Sequence, residues 1–343
     1  VCVHYNRDKY KYKSFENFLK LNSSYFEYIF LSRSDICCKY KEAVRKYSPN
    51  SKIIYVTHDI SHLRIKDNKQ KAITKKKEME NIEYCDLSLI VSTDEMNYLN
   101  EHISTSKLFY YPILYNSNDS IRLPMKERKD IYFIGSIHTP NIEALDNFLE
   151  NIWPLINKQN QNIIFHIIGN VSSSLKKNHD NVKVYGCIDN NDLFYLIKKC
   201  RLNVVPLLSG GGVKGKVLQS MNMMTPVISS KIGVQGLPLQ DNIDFILINP
   251  FENYNLCADK IISAYNNIDL LERCCTNSKK YFEQHCSSKN NRDYNDKLFS
   301  KLDIIKKPNV NIKYNCIVLC VVFKYKDIIE FIKNFFEKQM YDI

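Results

Sequence analysis

Short apolar runs alternate with stretches of helical periodicity along most of the chain. In the first third, apolar runs at residues 28–31, 53–56 and 86–91 predict buried strands, and residues 35–47 have the spacing of an amphipathic helix. Strands that are separated by helices usually pair in parallel and are joined by right-handed crossovers. The pattern therefore predicts an α/β fold with a parallel sheet.

The same alternation continues in the second part of the chain. Strands are predicted at residues 131–134, 163–168, 182–185, 202–208 and 243–248. Helices are predicted from Thr139 onward and at residues 192–200, 254–266 and 270–286. Between the two parts, residues 111–118 contain a proline and Asn-Ser repeats, which are typical of a linker. We therefore predict an N-terminal domain over residues 1–115, a second domain over 116–300 and a tail over 308–343.

The stretch with the most candidate ligand-binding residues is a glycine run. Three consecutive glycines, residues 210–212, follow a predicted strand and precede a predicted helix, and they leave the backbone bare. The polar side of that helix is predicted to carry Lys216, Gln219 and Ser220. Backbone amides at a helix N-terminus, with Lys214 and Lys216 beside them, favour an anion such as a phosphate.

Two general phosphate motifs fit this run in part. Residues 210–216 fit G-x-x-x-x-G-K, but Val217 stands where a P-loop needs Ser or Thr to hold Mg²⁺. Glycines 210, 212 and 215 fit G-x-G-x-x-G, but no acidic residue ends a second strand at the required distance. A P-loop-like NTPase stays open as an alternative on these residues.

The flanking residues complete a third motif. Residues 210–221, with 225–230 and 233–237, closely resemble the donor-binding motif of glycosyltransferase family 4. Residues 133–136, with the Pro140-Asn141 and Trp153-Pro154 pairs, are similar to that family's opening motif. The resemblance implies two Rossmann-like domains with parallel sheets that face each other across a cleft, the GT-B type. It also implies transfer of a sugar from a nucleotide-diphosphate sugar, with retention at the anomeric carbon.

The resemblance implies a donor site made of backbone amides and basic side chains. Its residues are Gly135, Ser136, Gly211, Gly212, Val213, Lys214, Gly215, Lys216 and Gln219. Lys216, with Lys214, is expected to neutralise the leaving diphosphate, so that neither a metal ion nor a cofactor is required. The family commonly carries two Glu residues where this chain has Gly211 and Gln219. Gln219 can still hydrogen-bond a ribose, although it lacks the charge that strengthens such bonds.

The acceptor side is predicted at the end of the strand at residues 53–56, where ligands meet parallel sheets. Residues 56–64 resemble the family segment that combines an Asp, a His-containing turn and Leu-Arg, which favours His58 and Asp59 as acceptor groups. His58 is expected to steer or deprotonate an acceptor hydroxyl. His58 and His62 lie four residues apart, but no third ligand is apparent, so no metal site is predicted.

Composition narrows the class of protein. The net charge of +11 over 343 residues favours anionic partners: nucleotides, lipid phosphates or a membrane surface. It also leaves open a non-catalytic basic module that binds membrane or nucleic acid. The 12 cysteines form no C-x-x-C pair, which is typical of reduced cytoplasmic thiols. Together with the resemblance to family 4, these features predict a cytoplasmic glycosyltransferase of cell-surface polysaccharide synthesis, with a glycan or lipid-linked acceptor, membrane-surface contact at the cytoplasmic face and no nucleic-acid partner.

The two ends of the chain raise separate expectations. The chain starts at Val1 without Met, and few strands precede His58, which predicts an incomplete N-terminal domain. In the tail, an apolar strand at residues 316–323 and an amphipathic helix at 325–339 resemble the opening of a family 2 glycosyltransferase. The alternative is a strand and helix that pack on the second domain.

Overall fold

The computed structural model describes residues 15–22, 26–118, 122–175, 177–251, 253–304 and, as backbone, 316–319. The chain divides into two compact units: unit 1 contains residues 1–114 and 290–343, and unit 2 contains residues 115–289. Each unit has a parallel sheet whose strands are connected through helices. The predicted α/β class with two Rossmann-like domains is therefore confirmed.

Unit 1 begins with four parallel strands in chain order: β1 (Tyr28–Ser32), β2 (Lys52–Val56), β3 (Leu87–Ile90) and β4 (Leu108–Tyr110). Its first helices are α1 (Phe15–Leu21), α2 (Ser34–Tyr47), α3 (Asn68–Tyr84) and α4 (Thr93–Asn100). Every residue of β1 is buried, because both faces of the sheet are covered. Ile29 and Leu31 pack in one core cluster with Val44 of α2, whereas Tyr28 and Phe30 pack in another.

Unit 2 has a sheet of six parallel strands. They are β5 (Asp130–Ile134), β6 (Phe165–Ile168), β7 (Val182–Val184), β8 (Cys200–Val205), β9 (Val227–Ser229) and β10 (Ile246–Leu247). Their order across the sheet is β10-β9-β8-β5-β6-β7. The chain order therefore reverses between β5 and β8, and this is the place where ligands bind to open parallel sheets.

Helices connect the strands of unit 2 and cover its sheet. They are α5 (Thr139–Asn147), α6 (Trp153–Gln159), α7 (Asn190–Ile197), α8 (Gly215–Asn222), α9 (Tyr254–Asn266) and α10 (Ile268–His285). A π-helical turn, Phe148–Ile152, joins α5 to α6. Phe148, Ile152 and Trp153 are almost fully buried and form part of the main core with β5 and β6. The strand predicted at residues 243–248 is shorter than expected, since only Ile246–Leu247 pairs with β9.

The position of Ser220 corrects the predicted orientation of α8. Ser220 was expected on the polar side of the helix, but it is fully buried. Its hydroxyl lies 2.8 Å from that of Tyr132, accepts a hydrogen bond from Asn203 at 2.6 Å and donates to the Lys216 carbonyl at 2.9 Å. The network ties α8 to β5 and β8, so a polar residue in this helix serves packing.

After unit 2 the chain returns to unit 1. Helix α11 (Asn291–Ile304) packs Leu298 and Leu302 against Tyr28 and Phe30 of β1. The sequence placed residues 291–300 in the second domain, because their polar character gave no sign of which sheet the few apolar side chains would cover. The structure assigns them to unit 1.

The tail also meets unit 1. Strand β11 (Cys316–Leu319) pairs in parallel with β1, with Cys316 opposite Tyr28. The predicted alternative of packing on the second domain is wrong for this strand, which extends the sheet of unit 1. The helix predicted at residues 325–339, on which the family 2 resemblance depends, lies outside the described residues. In the described part of the chain, every helix is too short or too polar to cross a membrane.

Candidate active site

Two loops meet at the reversal point of the unit 2 sheet. Gly135 and Ser136 follow β5, and the glycine run follows β8, the strand that pairs with β5. The sequence predicted both loops as parts of one donor site. The topology brings them together, because carboxyl ends of neighbouring parallel strands open onto the same edge.

Glycine is required where these loops pass closest to other backbone. Gly169, which follows β6, has φ +97°, and a side chain there would collide with the carbonyl oxygen of Gly135. In the glycine run, Gly210 and Gly212 have φ values of +128° and +66°. Such values strain other residues, so the glycines let the loop turn tightly into α8.

The side chain of Lys216, in the first turn of α8, is held in place by two contacts. Its ammonium group donates to Asn141 Oδ1 at 2.6 Å and lies 4.1 Å from the centroid of the Phe133 ring. Asn141 in turn donates to the carbonyl oxygen of Ser136 at 3.0 Å. Burial, and secondarily the charge of Lys214, lower the pKa of Lys216 to about 7. The side chain is thus poised between its neutral and charged forms near neutral pH.

Lys214 has a different part in the loop. Its ammonium group donates to the carbonyl oxygens of Gly211 at 3.1 Å and Gly212 at 2.6 Å, so it braces the glycine run from within. Val213 lies in the loop, Gln219 lies about one turn after Lys216 on α8, and both are partly buried. The structure therefore places all the predicted donor residues at or next to the two loops.

Two residues of this site were missed as functional groups by the sequence analysis. Asn141 appeared only as half of the Pro140-Asn141 pair, but in the structure it connects Lys216 to the loop after β5. Glu143 of α5 accepts a hydrogen bond from Ser209 at 2.9 Å and so holds a carboxylate beside the glycine run. An Asn and a Glu in the first turns of a helix were the only signal, and these residues are common there without any ligand.

The predicted acceptor residues lie at the carboxyl edge of the unit 1 sheet. His58 follows β2, is partly open to solvent and has its Nε2 2.8 Å from the hydroxyl of Ser32, at the end of β1. Partial exclusion of water lowers the pKa of His58, and the positive charge of Arg33 lowers it further. Asp59 accepts a hydrogen bond from Arg64 Nε at 2.7 Å. His58 is thus the more accessible of the two predicted groups, because Asp59 is already paired.

His62 serves the structure of the same loop. It is fully buried, with Nδ1 2.6 Å from Glu78 Oε2 and Nε2 3.0 Å from the Tyr98 hydroxyl. Glu78 also accepts hydrogen bonds from the backbone amides of Ser61 and His62. The ring therefore braces the turn after His58. Across the described residues, no three His, Cys, Asp or Glu side chains are grouped closely enough to hold a metal ion.

A known family model matches part of unit 2. Residues 128–267 match the model of the family described as "Glycosyl transferases group 1". That range contains the whole predicted donor site and excludes His58. A relative from Klebsiella pneumoniae, an uncharacterized 44.6 kDa protein in the cps region, is 25% identical over 170 residues, which cover 47% of this chain and 43% of the relative.

Solved structures share the fold. TarM from S. aureus aligns with a TM-score of 0.65 and 17% identity, covering 84% of this chain and 57% of TarM. The pneumococcal O-GlcNAc transferase GtfA, solved with UDP and GlcNAc, aligns with a TM-score of 0.60 and 15% identity over 84% of this chain and 60% of GtfA. The chain thus spans less than two thirds of the length of these proteins. Its fold, with two Rossmann-like units, is of the GT-B type, and the stretch of unit 2 over residues 128–267 is similar to the glycosyltransferases group 1 model.

Proposed function

We propose that the chain is a glycosyltransferase that moves a sugar from a nucleotide-diphosphate sugar to a glycan or lipid-linked acceptor. One observation carries the proposal: at the sheet reversal of unit 2, a glycine loop, a helix N-terminus and the held Lys216 converge within the residues matched to glycosyltransferases group 1. The bound nucleotide and sugar named for GtfA support the same substrate class.

This geometry supports the donor half of the proposed reaction. The amides of residues 212–216 and the Lys216 ammonium group would contact the diphosphate, with Asn141 giving up its bond to the lysine. When the bond between the anomeric carbon and the diphosphate breaks, its electron pair goes to the phosphate oxygen. The loop and Lys216 stabilise that growing charge, and for this reason they lower the barrier as well as bind the donor.

The acceptor half would use His58. Its ring, fixed by Ser32, would orient the acceptor hydroxyl as this oxygen forms the new bond to the anomeric carbon. We propose a retaining transfer in which the hydroxyl proton passes to the departing phosphate. Charge on that phosphate is balanced by protein groups, so the proposal requires no metal ion.

The setting we propose is cell-surface polysaccharide synthesis on the cytoplasmic side of a membrane, consistent with the relative from a cps region. The first turns of α3 present exposed lysines, including Lys69, Lys71 and Lys76, and these would attract anionic lipid headgroups. Vesicles that contain an anionic lipid should bind the protein at low salt and release it as salt rises, whereas neutral vesicles should not bind it.

A nucleotide titration tests the function. Calorimetry with UDP, GDP and dTDP, each with EDTA and then with Mg²⁺, should show binding of at least one nucleotide in EDTA. Lys216→Ala should weaken that binding about tenfold to a hundredfold, the worth of a charge-assisted hydrogen bond. Lys260→Ala, which removes an exposed lysine of α9, is the matched control and should leave it unchanged. Strict dependence on Mg²⁺ would favour the P-loop alternative, and absence of any nucleotide binding would reject the proposal.

A further inference from the structure

Arg33 has a backbone conformation that its side chain disfavours. Its φ of 78° and ψ of 151° lie in a region that is occupied almost only by glycine. Three other described non-glycine residues have positive φ, but their values of 48° to 58° are those of the left-handed helical region. In the part of the chain that the structure describes, Arg33 is therefore the outlier.

The surrounding backbone enforces this conformation. β1 ends at Ser32 and α2 begins at Ser34, so Arg33 alone turns the chain from strand to helix. Its amide donates to the Val56 carbonyl at 3.0 Å, and its own carbonyl accepts from the Cys37 amide at 3.0 Å. Glycine would make the same turn with less strain. The turn therefore gives no reason for an arginine, and the reason must lie in the side chain.

The side chain lies at the edge that carries His58. Ser32, the residue before Arg33, contacts the His58 ring at 2.8 Å, and the Arg33 charge acts on the same ring. Half of the Arg33 side chain is exposed, and its nearest described acid, Asp35, is 3.8 Å away, beyond hydrogen-bond distance. The other acid of this edge, Asp59, is paired with Arg64. A half-exposed guanidinium group thus lies at the same sheet edge as the ring and acts on it electrostatically.

We propose that Arg33 is a specificity-determining residue that binds a negatively charged group of the acceptor, a phosphate or a carboxylate, next to His58. The inference rests on the assignment of His58 to the acceptor in the proposed function. A planar guanidinium group matches two oxygens of either anion at once, and a neutral hydroxyl offers no such match. The backbone strain at Arg33 then results from placing an arginine side chain at a position whose φ and ψ favour glycine.

The test combines binding with stability. Inorganic phosphate is titrated into the full chain while the His58 ring resonance, assigned with His58→Gln, is followed by NMR. Wild type should show a saturable shift, Arg33→Gly should weaken phosphate binding at least about tenfold, and Arg33→Lys should weaken it less. The melting temperature of Arg33→Gly should equal or exceed that of wild type. Lys39→Gln, a loss of exposed charge on α2, is the control and should change neither quantity.

Two results would overturn the inference: an unchanged phosphate response in Arg33→Gly, or a clearly lower melting temperature, which would mean that the arginine is kept for folding. A parallel titration with acetate separates the two anions. A shift of the His58 resonance with phosphate alone would identify a phosphate group as the ligand, and a shift with both anions would identify negative charge as the recognised property.

Neither the NMR titration nor the melting temperature uses nucleotide or turnover. Failure of UDP, GDP and dTDP to bind unit 2 would therefore reject the proposed function without deciding the role of Arg33.

Discussion

The edge of unit 2 that holds the proposed donor site (the donor edge) and the edge of unit 1 that holds His58 (the acceptor edge) use similar sheets in different ways. At the donor edge, the site is built mainly from backbone, because glycines let the loops approach each other closely. A few side chains, such as Lys216 and Asn141, complete it. At the acceptor edge, side chains from separate elements hold one another, as with Ser32 and His58 or His62 and Glu78. Adding a side-chain methyl group should therefore destabilise the donor edge, whereas removing a polar partner should destabilise the acceptor edge.

Removing space at the donor edge should have the largest effect. Gly169→Ala places a methyl group against the Gly135 carbonyl at a φ of +97°, and we expect a loss of about 3–6 kcal/mol of unfolding free energy from overlap and strain. Nucleotide binding should be lost with it. Gly186→Ala is the matched control, because nothing lies within 4 Å of the added methyl group. Urea denaturation of both variants measures the difference, and equal stability would contradict the backbone-packing account.

Removing a polar partner at the acceptor edge should cause the second-largest loss of unfolding free energy. Glu78→Ala leaves His62 and the Ser61 and His62 amides without their buried carboxylate, which should cost about 3–5 kcal/mol. Glu80→Ala, two residues further along α3, removes only an exposed glutamate that lies 3.9 Å from Lys76 and should be nearly neutral. If thermal unfolding resolves the two units, only the unit 1 transition should move.

This difference also explains what the sequence could and could not predict. Glycines at strand ends and a lysine after them are a local signal, so the two loops of the proposed donor site and most strands of both sheets were predicted from the chain itself. The short strands β4 and β9 were not predicted. The acceptor edge depends on partners far away in sequence: Ser32 is 26 residues from His58, and Glu78 is 16 residues from His62. The return of residues 291–304 to unit 1 depends on a few apolar side chains, Leu298 and Leu302 among them, whose partners no local pattern identifies.

The effect of pH on donor binding should be smaller than these losses of stability, and it should depend on Lys216. Burial and Lys214 lower the pKa of Lys216 to about 7, and a bound diphosphate should raise it again, because the anion favours the charged form. Between pH 7 and 8 the free protein loses this proton, so the affinity for UDP should fall roughly fivefold. Lys216→Ala should bind weakly and without this pH dependence. A wild-type affinity that is flat across this range would contradict the assignment of Lys216 to the phosphate.

A substitution of Lys214, with an effect of similar size, separates the roles of the two lysines of the donor edge. Lys214 braces the carbonyls of Gly211 and Gly212, so Lys214→Ala should weaken UDP binding by about threefold to tenfold, the net worth of one or two hydrogen bonds. The same change removes a positive charge that lowers the pKa of Lys216. The pH at which UDP affinity begins to fall should therefore move upward in this variant, and calorimetry at several pH values measures both quantities. A loss of affinity as large as that of Lys216→Ala, with no change in the pH midpoint, would mean that Lys214 contacts the phosphate directly rather than through the loop.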